Sequence, residues 1–280
     1  MKIKITSDST CDLPQELVEK YAIGLLPLCV TVEGKTYRDG LDIQAAEMLS
    51  MTEASGGTPK TAANNIQDYL DVFTAELKEH DAVIHFTISS SMSACYQNAC
   101  LAAEELENVY VIDSANLSTG QGHLVLDACE MAASGMAPAD IVAEIESRKG
   151  KVDASFVVDT LEYLRRGGRC TALAAMGANL LRLHPCISVK DGAMGVGKKY
   201  RGNMKSCLTE YVKDRLAEPD TVDSRRVFIT DSGVSEEIRQ MVEDVVLSLV
   251  PFEEVIHSQA GCTVSCHCGP GTLGILFFRK

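Results

Sequence analysis

Ala82-Val83-Ile84-His85-Phe86-Thr87-Ile88, followed at once by Ser89-Ser90-Ser91-Met92-Ser93, decides how this chain folds. The first seven residues are rich in apolar and β-branched side chains and predict a buried strand. The serine run ends it, and a helix is expected from there to about Leu106. A strand that passes through a short polar turn into a helix is the repeating unit of a parallel sheet.

The same alternation continues outward. Residues 3–7 read as a strand ending in Ser7-Asp8-Ser9-Thr10. A helix should follow, with Asp12 as N-cap, Gln15 as its capping-box partner, and Leu13, Leu17 and Tyr21 at helical spacing. Residues 25–32 look like a second strand. The loop from Ser55 to Thr61 leads into an amphipathic helix whose apolar face is Ile66, Leu70, Phe73 and Leu77. Residues 109–112 form a strand ending in Asp113-Ser114, and helices are expected over 119–134 and 138–148. After Gly150 the pattern changes. Strands are expected at 154–158, 186–190, 226–231, 253–257 and 273–278, and helices at 160–166, 204–217 and 234–249. The predicted class is α/β, in two α/β domains, 1–150 with a mostly parallel sheet and 151–280.

The formal net charge of −13 argues against nucleic acid and against an anionic membrane surface, since both need cationic faces. No apolar run approaches the roughly 20 residues that span a bilayer, so no stable membrane insertion is expected. The first residues enter a strand-like alternation without a signal peptide. Eleven cysteines in a chain of this size read as reduced, buried thiols, which suits the cytoplasm.

Ligands of open α/β sheets bind beyond the carboxyl ends of the strands. Three such ends here carry hydroxyl residues, namely Ser7 to Ser9, Ser89 to Ser93, and Asp113-Ser114. Ser93 falls at a helix N-terminus, where the backbone N–H groups favour an anion. It either donates to a carboxylate or phosphate oxygen or caps the helix, and by position capping is the commoner role. Thr61 follows a loop containing Gly56, Gly57 and Pro59 and is placed to reach the same ligand. Arg165 and Arg166 offset the negative end of their helix, whereas Arg169, past Gly167-Gly168, is free to turn into a cleft. Cys262, Cys266, His267 and Cys268 invite a zinc reading, but residues 266–268 on a strand would point to opposite faces. His267, before Gly269-Pro270-Gly271, is instead expected to be placed by a tight turn. Gly192 to Lys199 nearly matches a P-loop but has Lys199 where Ser or Thr should hold magnesium. It reads as a turn between strands, with Lys198, Lys199 and Arg201 exposed.

Taken together, four blocks resemble the DegV family. They are Ser7-Asp8-Ser9-Thr10-Cys11-Asp12, Pro59-Lys60-Thr61, Ile88 to Tyr96, and Asp159 to Arg169 with its distal companion His267 to Gly274. The resemblance implies two α/β domains and a long-chain fatty acid in a buried tunnel, its carboxylate at the interdomain cleft. It also implies that the chain is no enzyme by itself and carries no cofactor. It would serve as the binding subunit of a bacterial two-component fatty acid kinase, whose separate ATP-binding kinase subunit forms the acyl phosphate. Thr61 and Ser93 would hold the carboxylate, with Arg169 and His267 close by. The sequence departs from the family pattern at Ala62, Asn64, Ala94 and Cys95. The apolar stretch 172–187 is a candidate for part of the tunnel wall or for ordinary core. Two rival readings are a serine hydrolase or acyltransferase using Ser93 with His267 as base, and a zinc-binding regulatory module.

Overall fold

The computed structural model describes residues 1–170 and 183–280. Its strands form three sheets. The first is wholly parallel, in the order β2-β1-β6-β7, built from β1 (Ile3–Asp8), β2 (Gly24–Leu26), β6 (Ala82–Thr87) and β7 (Val109–Asp113). The strand read from residues 82–88 therefore lies in the sheet interior, and all six residues of β6 are buried. A three-stranded antiparallel sheet holds β4 (Lys35–Arg38), β3 (Cys29–Val32) and β5 (Lys60–Ala62). The third has the order β10-β9-β8-β13-β11-β12. Its strands are β8 (Val152–Val157), β9 (Leu183–Lys190), β10 (Ala193–Arg201), β11 (Val222–Ser232), β12 (Glu254–Gln259) and β13 (Thr272–Arg279). It is antiparallel except where β11 pairs with β12.

The helices are α1 (Gln15–Lys20), α2 (Ala45–Ser55), α3 (Ile66–Glu76), α4 (Cys95–Ala103), α5 (Ser118–Ala133), α6 (Pro138–Arg148), α7 (Glu162–Gly167), α8 (Met204–Arg215), α9 (Glu236–Leu249) and α10 (Cys262–Cys268). Helix α5 joins the two large sheets. Residues 118–129 are buried on every side, the pattern of a helix enclosed by protein. Leu124, Val125 and Leu126 share one core with Ile5, Ile84 and Phe86 of the parallel sheet and with Ala154, Phe228 and Leu276 of the six-stranded one.

Several expectations are corrected. Residues 25–32 are two strands in different sheets, broken at Pro27, which lacks a ladder donor. Asp12 caps no helix. It closes a short 3₁₀ turn with a positive φ of 49° and turns its carboxylate inward, where Ser118 Oγ donates at 2.5 Å and Gly261 N at 2.9 Å. Of the apolar face expected for α3, Phe73 is buried and Leu70 and Leu77 pack against the same core, but Ile66 is exposed; Tyr69 joins the buried face and donates from its hydroxyl to the buried Asp8 at 2.9 Å. The near P-loop is mostly strand β10, and only Asp191-Gly192 makes the turn. Residues 172–182, named as candidate tunnel wall, lie outside the described residues. Among the described residues no cysteine is joined in a disulfide. Among the described residues no helix is long and apolar enough to cross a membrane.

His123 on α5 is fully buried, and its Nε2 donates to the Leu276 carbonyl at 2.9 Å while Nδ1 has no partner. Burial pushes its pKa down from 6.5 to about 3. The unfolded chain takes up this proton below pH 6.5 and the folded chain does not, so this contribution to stability is lost as pH falls from 6.5 toward 3. Asp12 acts with the opposite sign. Burial raises its pKa to about 8, so its contribution is lost as pH rises from 3.8 toward 8. In urea titrations from pH 7 to pH 4, His123→Gln is expected to lose less stability than the parent, by about 1 kcal/mol per pH unit below pH 6. Parallel pH curves would contradict a neutral buried His123.

Candidate functional site

One cavity stands out at the junction of the sheets. Counted with the solvent at its opening it encloses about 890 Å³. Its walls are mostly apolar and include Leu28, Ile88, Met92, Leu117, Phe156, Met194 and Leu276. Asp231 also lines it, but its carboxylate is tied up by Val234 N at 2.9 Å and Arg239 Nη1 at 3.0 Å. Thr61, Ser93, Arg169 and His267 all line this one cavity, so four residues that span most of the chain length meet there.

Each reaches the cavity by a different element. Thr61 is the middle residue of β5, a three-residue edge strand paired with Val30. Ser93 lies in the turn that follows β6, where Met92 N and Ser93 N both donate to the Ser89 carbonyl. The Ser93 hydroxyl accepts from Cys95 N at 3.3 Å and donates to Cys95 Sγ at 3.0 Å. It thus helps close the start of α4 although Ala94 holds the N-cap position. Its proton points at sulfur, a weak acceptor, and can turn to a better one at little cost. Arg169 follows Gly168, which ends α7 in the left-handed conformation at φ 65°. Its side chain is exposed, and Nη1 donates to the Gly167 carbonyl at 2.9 Å.

His267 departs most from expectation. It sits in the last turn of α10, not on a strand or tight turn. On this helix Cys262 and Cys266 are four residues apart and pack with Val30 and Met48 of β3 and α2. Their thiols point to the carbonyls of Ile43 and Pro59. Val264, His267 and Cys268 face the cavity instead. The thiols and imidazole thus diverge, and among the described residues no group of three or more His, Cys, Asp or Glu could hold a metal ion. His267 Nε2 lies 2.9 Å from Thr61 Oγ1. Its Nδ1 is buried without a partner, close over Gly167. Burial, with the Arg169 charge nearby, lowers the His267 pKa to about 4, so the imidazole is neutral at neutral pH.

The Ser93–His267 pair required of a hydrolase is not formed. Ser93 is bonded to Cys95, and His267 to Thr61. At the departures from the family pattern, Ala62 lines the cavity without a polar side chain. Asn64 is buried, and its carbonyl accepts from Asn98 Nδ2 at 2.8 Å. Asp39 and Thr263 went unnoticed from the sequence. The spacing of Cys262, Cys266 and of Val264, Cys268 after Gly261 is a helix signal that places Thr263 in the first turn of α10, whereas Asp39 carries no local signal.

Fold and site define a class: an α/β protein with a ligand cavity at the junction of its sheets, apolar walls, and hydroxyl, imidazole and guanidinium groups along its lining. The chain belongs to the DegV family, whose model, described as "Uncharacterised protein, DegV family", matches residues 2–280. A DegV domain-containing protein of Clostridium acetobutylicum is 32% identical over 283 residues, covering 100% of this chain and 99% of that protein. Among solved structures, a fatty-acid-binding DegV family protein from Thermus thermophilus matches with a TM-score of 0.92 at 32% identity, covering 100% of both chains. A stearic acid-binding protein from Eubacterium ventriosum matches at 0.87 and 28% identity, covering 99% of this chain and 98% of that one.

Proposed function

We propose that this chain binds a long-chain fatty acid in the cavity, with its carboxylate at Thr61, Ser93, Arg169 and His267, and presents it in the cytoplasm to a separate ATP-binding kinase subunit that forms the acyl phosphate. The observation that carries the reading is the hydrogen bond between His267 and Thr61 at the edge of an apolar cavity. Fatty-acid binding by the Thermus and Eubacterium relatives supports it.

The chemistry follows from the proton positions. His267 is neutral, and an unpaired buried N–H is rarer than an unpaired acceptor. Nδ1 is therefore the bare nitrogen and Nε2–H donates to Thr61 Oγ1. The Thr61 proton is then free to be donated to a carboxylate oxygen, and Ser93 can turn its own proton from Cys95 to the same group. Arg169 supplies the cation at the solvent side. Each buried methylene contributes about 0.8 kcal/mol, so the chain supplies most of the affinity and these donors offset the desolvation of the carboxylate. With Nε2–H donating to Thr61, His267 does not take the Thr61 proton, so this reading leaves the chemical step to the partner.

Mass spectrometry of a denatured extract of protein purified from a bacterial host tests this directly. A bound fatty acid is expected, and a protein that neither co-purifies with nor takes up fatty acid would refute the reading. Ser93→Ala is expected to bind about tenfold more weakly, the worth of one hydrogen bond to a charged group. Unchanged affinity in a fluorescence displacement assay would remove Ser93 from the site.

A further inference from the structure

Helix α10 decides where His267 sits, and its first turn is held by two aspartates from far away in the chain. Asp39, just after β4, accepts Cys262 N at Oδ1 at 2.7 Å and Thr263 N at Oδ2 at 3.0 Å. Asp12 accepts Gly261 N at 2.9 Å. The N-cap residue itself is Gly261, which has no side chain to cap with. A seven-residue helix does not hold itself in water. Its placement therefore depends on these contacts and on its packing.

Asp39 is 3% exposed. Its remaining hydrogen bond comes from Ser9 Oγ at 3.2 Å, and among the described residues no cation pairs with it. Two amides of one helix turn thus provide most of what keeps this carboxylate buried. One turn further along, on the same face as Thr263, His267 meets Thr61. Thr61 itself stands on β5, in the same small sheet as β4, the strand that Asp39 follows. The carboxylate ties the base of the helix to the sheet whose strand receives the imidazole.

We infer that Asp39 is a positioning residue for the head-group site: by fixing the start of α10 against the small sheet, it aims His267 Nε2 at the Thr61 hydroxyl. The inference rests on the proposed carboxylate site but has a readout of its own. Asp39→Asn keeps the shape and gives up one of the two acceptors. In the unliganded protein, the ¹⁵N resonances of the His267 ring are expected to shift in this variant as the bond to Thr61 is lost. Palmitate affinity is expected to fall about tenfold in Asp39→Asn, and less than twofold when the same change is made in His267→Ala, because the two residues act as one unit.

Unmoved His267 resonances would overturn the inference, as would an equal loss of affinity in both backgrounds, which marks a general structural effect. Should wild type bind no palmitate, the fatty-acid reading fails and the resonances alone decide whether Asp39 aims His267. Should Asp39→Asn not fold, Asp39→Ser, which still offers an acceptor to one amide, is measured in the same way.

Discussion

Gly167→Ala is expected to weaken fatty-acid binding roughly tenfold to a hundredfold while changing stability by no more than about 1 kcal/mol, because the helix gain from alanine offsets the lost hydrogen bond. A Cβ at Gly167 would stand 2.2 Å from His267 Nδ1, far inside contact distance. The imidazole must swing away, and the bond from Nε2 to Thr61 goes with it. Gly167 itself lies in α7 with an ordinary helical backbone, so alanine there is favourable to the helix by about 0.5–1 kcal/mol. The substitution thus separates the site from the fold. Isothermal titration with palmitate reads the first, and a thermal melt reads the second. Wild-type affinity in a folded Gly167→Ala protein would show that the His267–Thr61 contact does not hold the ligand.

Gly274→Ala is expected to act on the fold. Gly274 on β13 pairs with Phe156 on β8. A Cβ there would lie 2.5 Å from the Ser155 carbonyl oxygen and 2.9 Å from Phe156 Cβ. Both neighbours are held in the ladder between central strands, so the sheet must open locally to admit a methyl group. Overpacking of this kind costs about 1–3 kcal/mol, and rigid backbone places it at the upper end. Urea unfolding should show a lower midpoint with an unchanged slope. A midpoint equal to wild type would mean that β8 and β13 yield easily at this point. Gly274 also lines the cavity, so this variant should lose ligand affinity as well.

The local pattern of the sequence was most readable where strands are fully buried. Residues 82–88 are dominated by apolar and β-branched side chains because β6 is covered on both faces, and they point to the parallel sheet that the structure shows. The antiparallel small sheet was hidden because its strands are three or four residues long and half exposed, too short to display an alternation. Helix α10 is obscured in the sequence because three cysteines and a histidine within residues 262–268 fit a metal-ligand cluster as readily as a helix. The site residues came from the family resemblance. Periodicity alone offered only an anion-friendly turn at Ser93. That Thr61, Ser93, Arg169 and His267 line one cavity is a long-range fact, set by how α10 and α7 approach β5. The same holds for Asp39, an ordinary loop aspartate until the amides of α10 are brought to it.

The place of β13 also bears on how the chain is made. This strand follows β8, β9, β10, β11 and β12 in sequence but lies between β8 and β11 in the sheet. During synthesis β8 emerges from the ribosome long before its central neighbour. Until β13 arrives, β8 shows an open hydrogen-bonding edge, the kind of edge that recruits other chains. Its closure also needs contacts between distant parts of the sequence, which are slow to form. The nascent chain is therefore expected to depend on chaperones that shield such edges, and to be prone to aggregation when produced quickly without them.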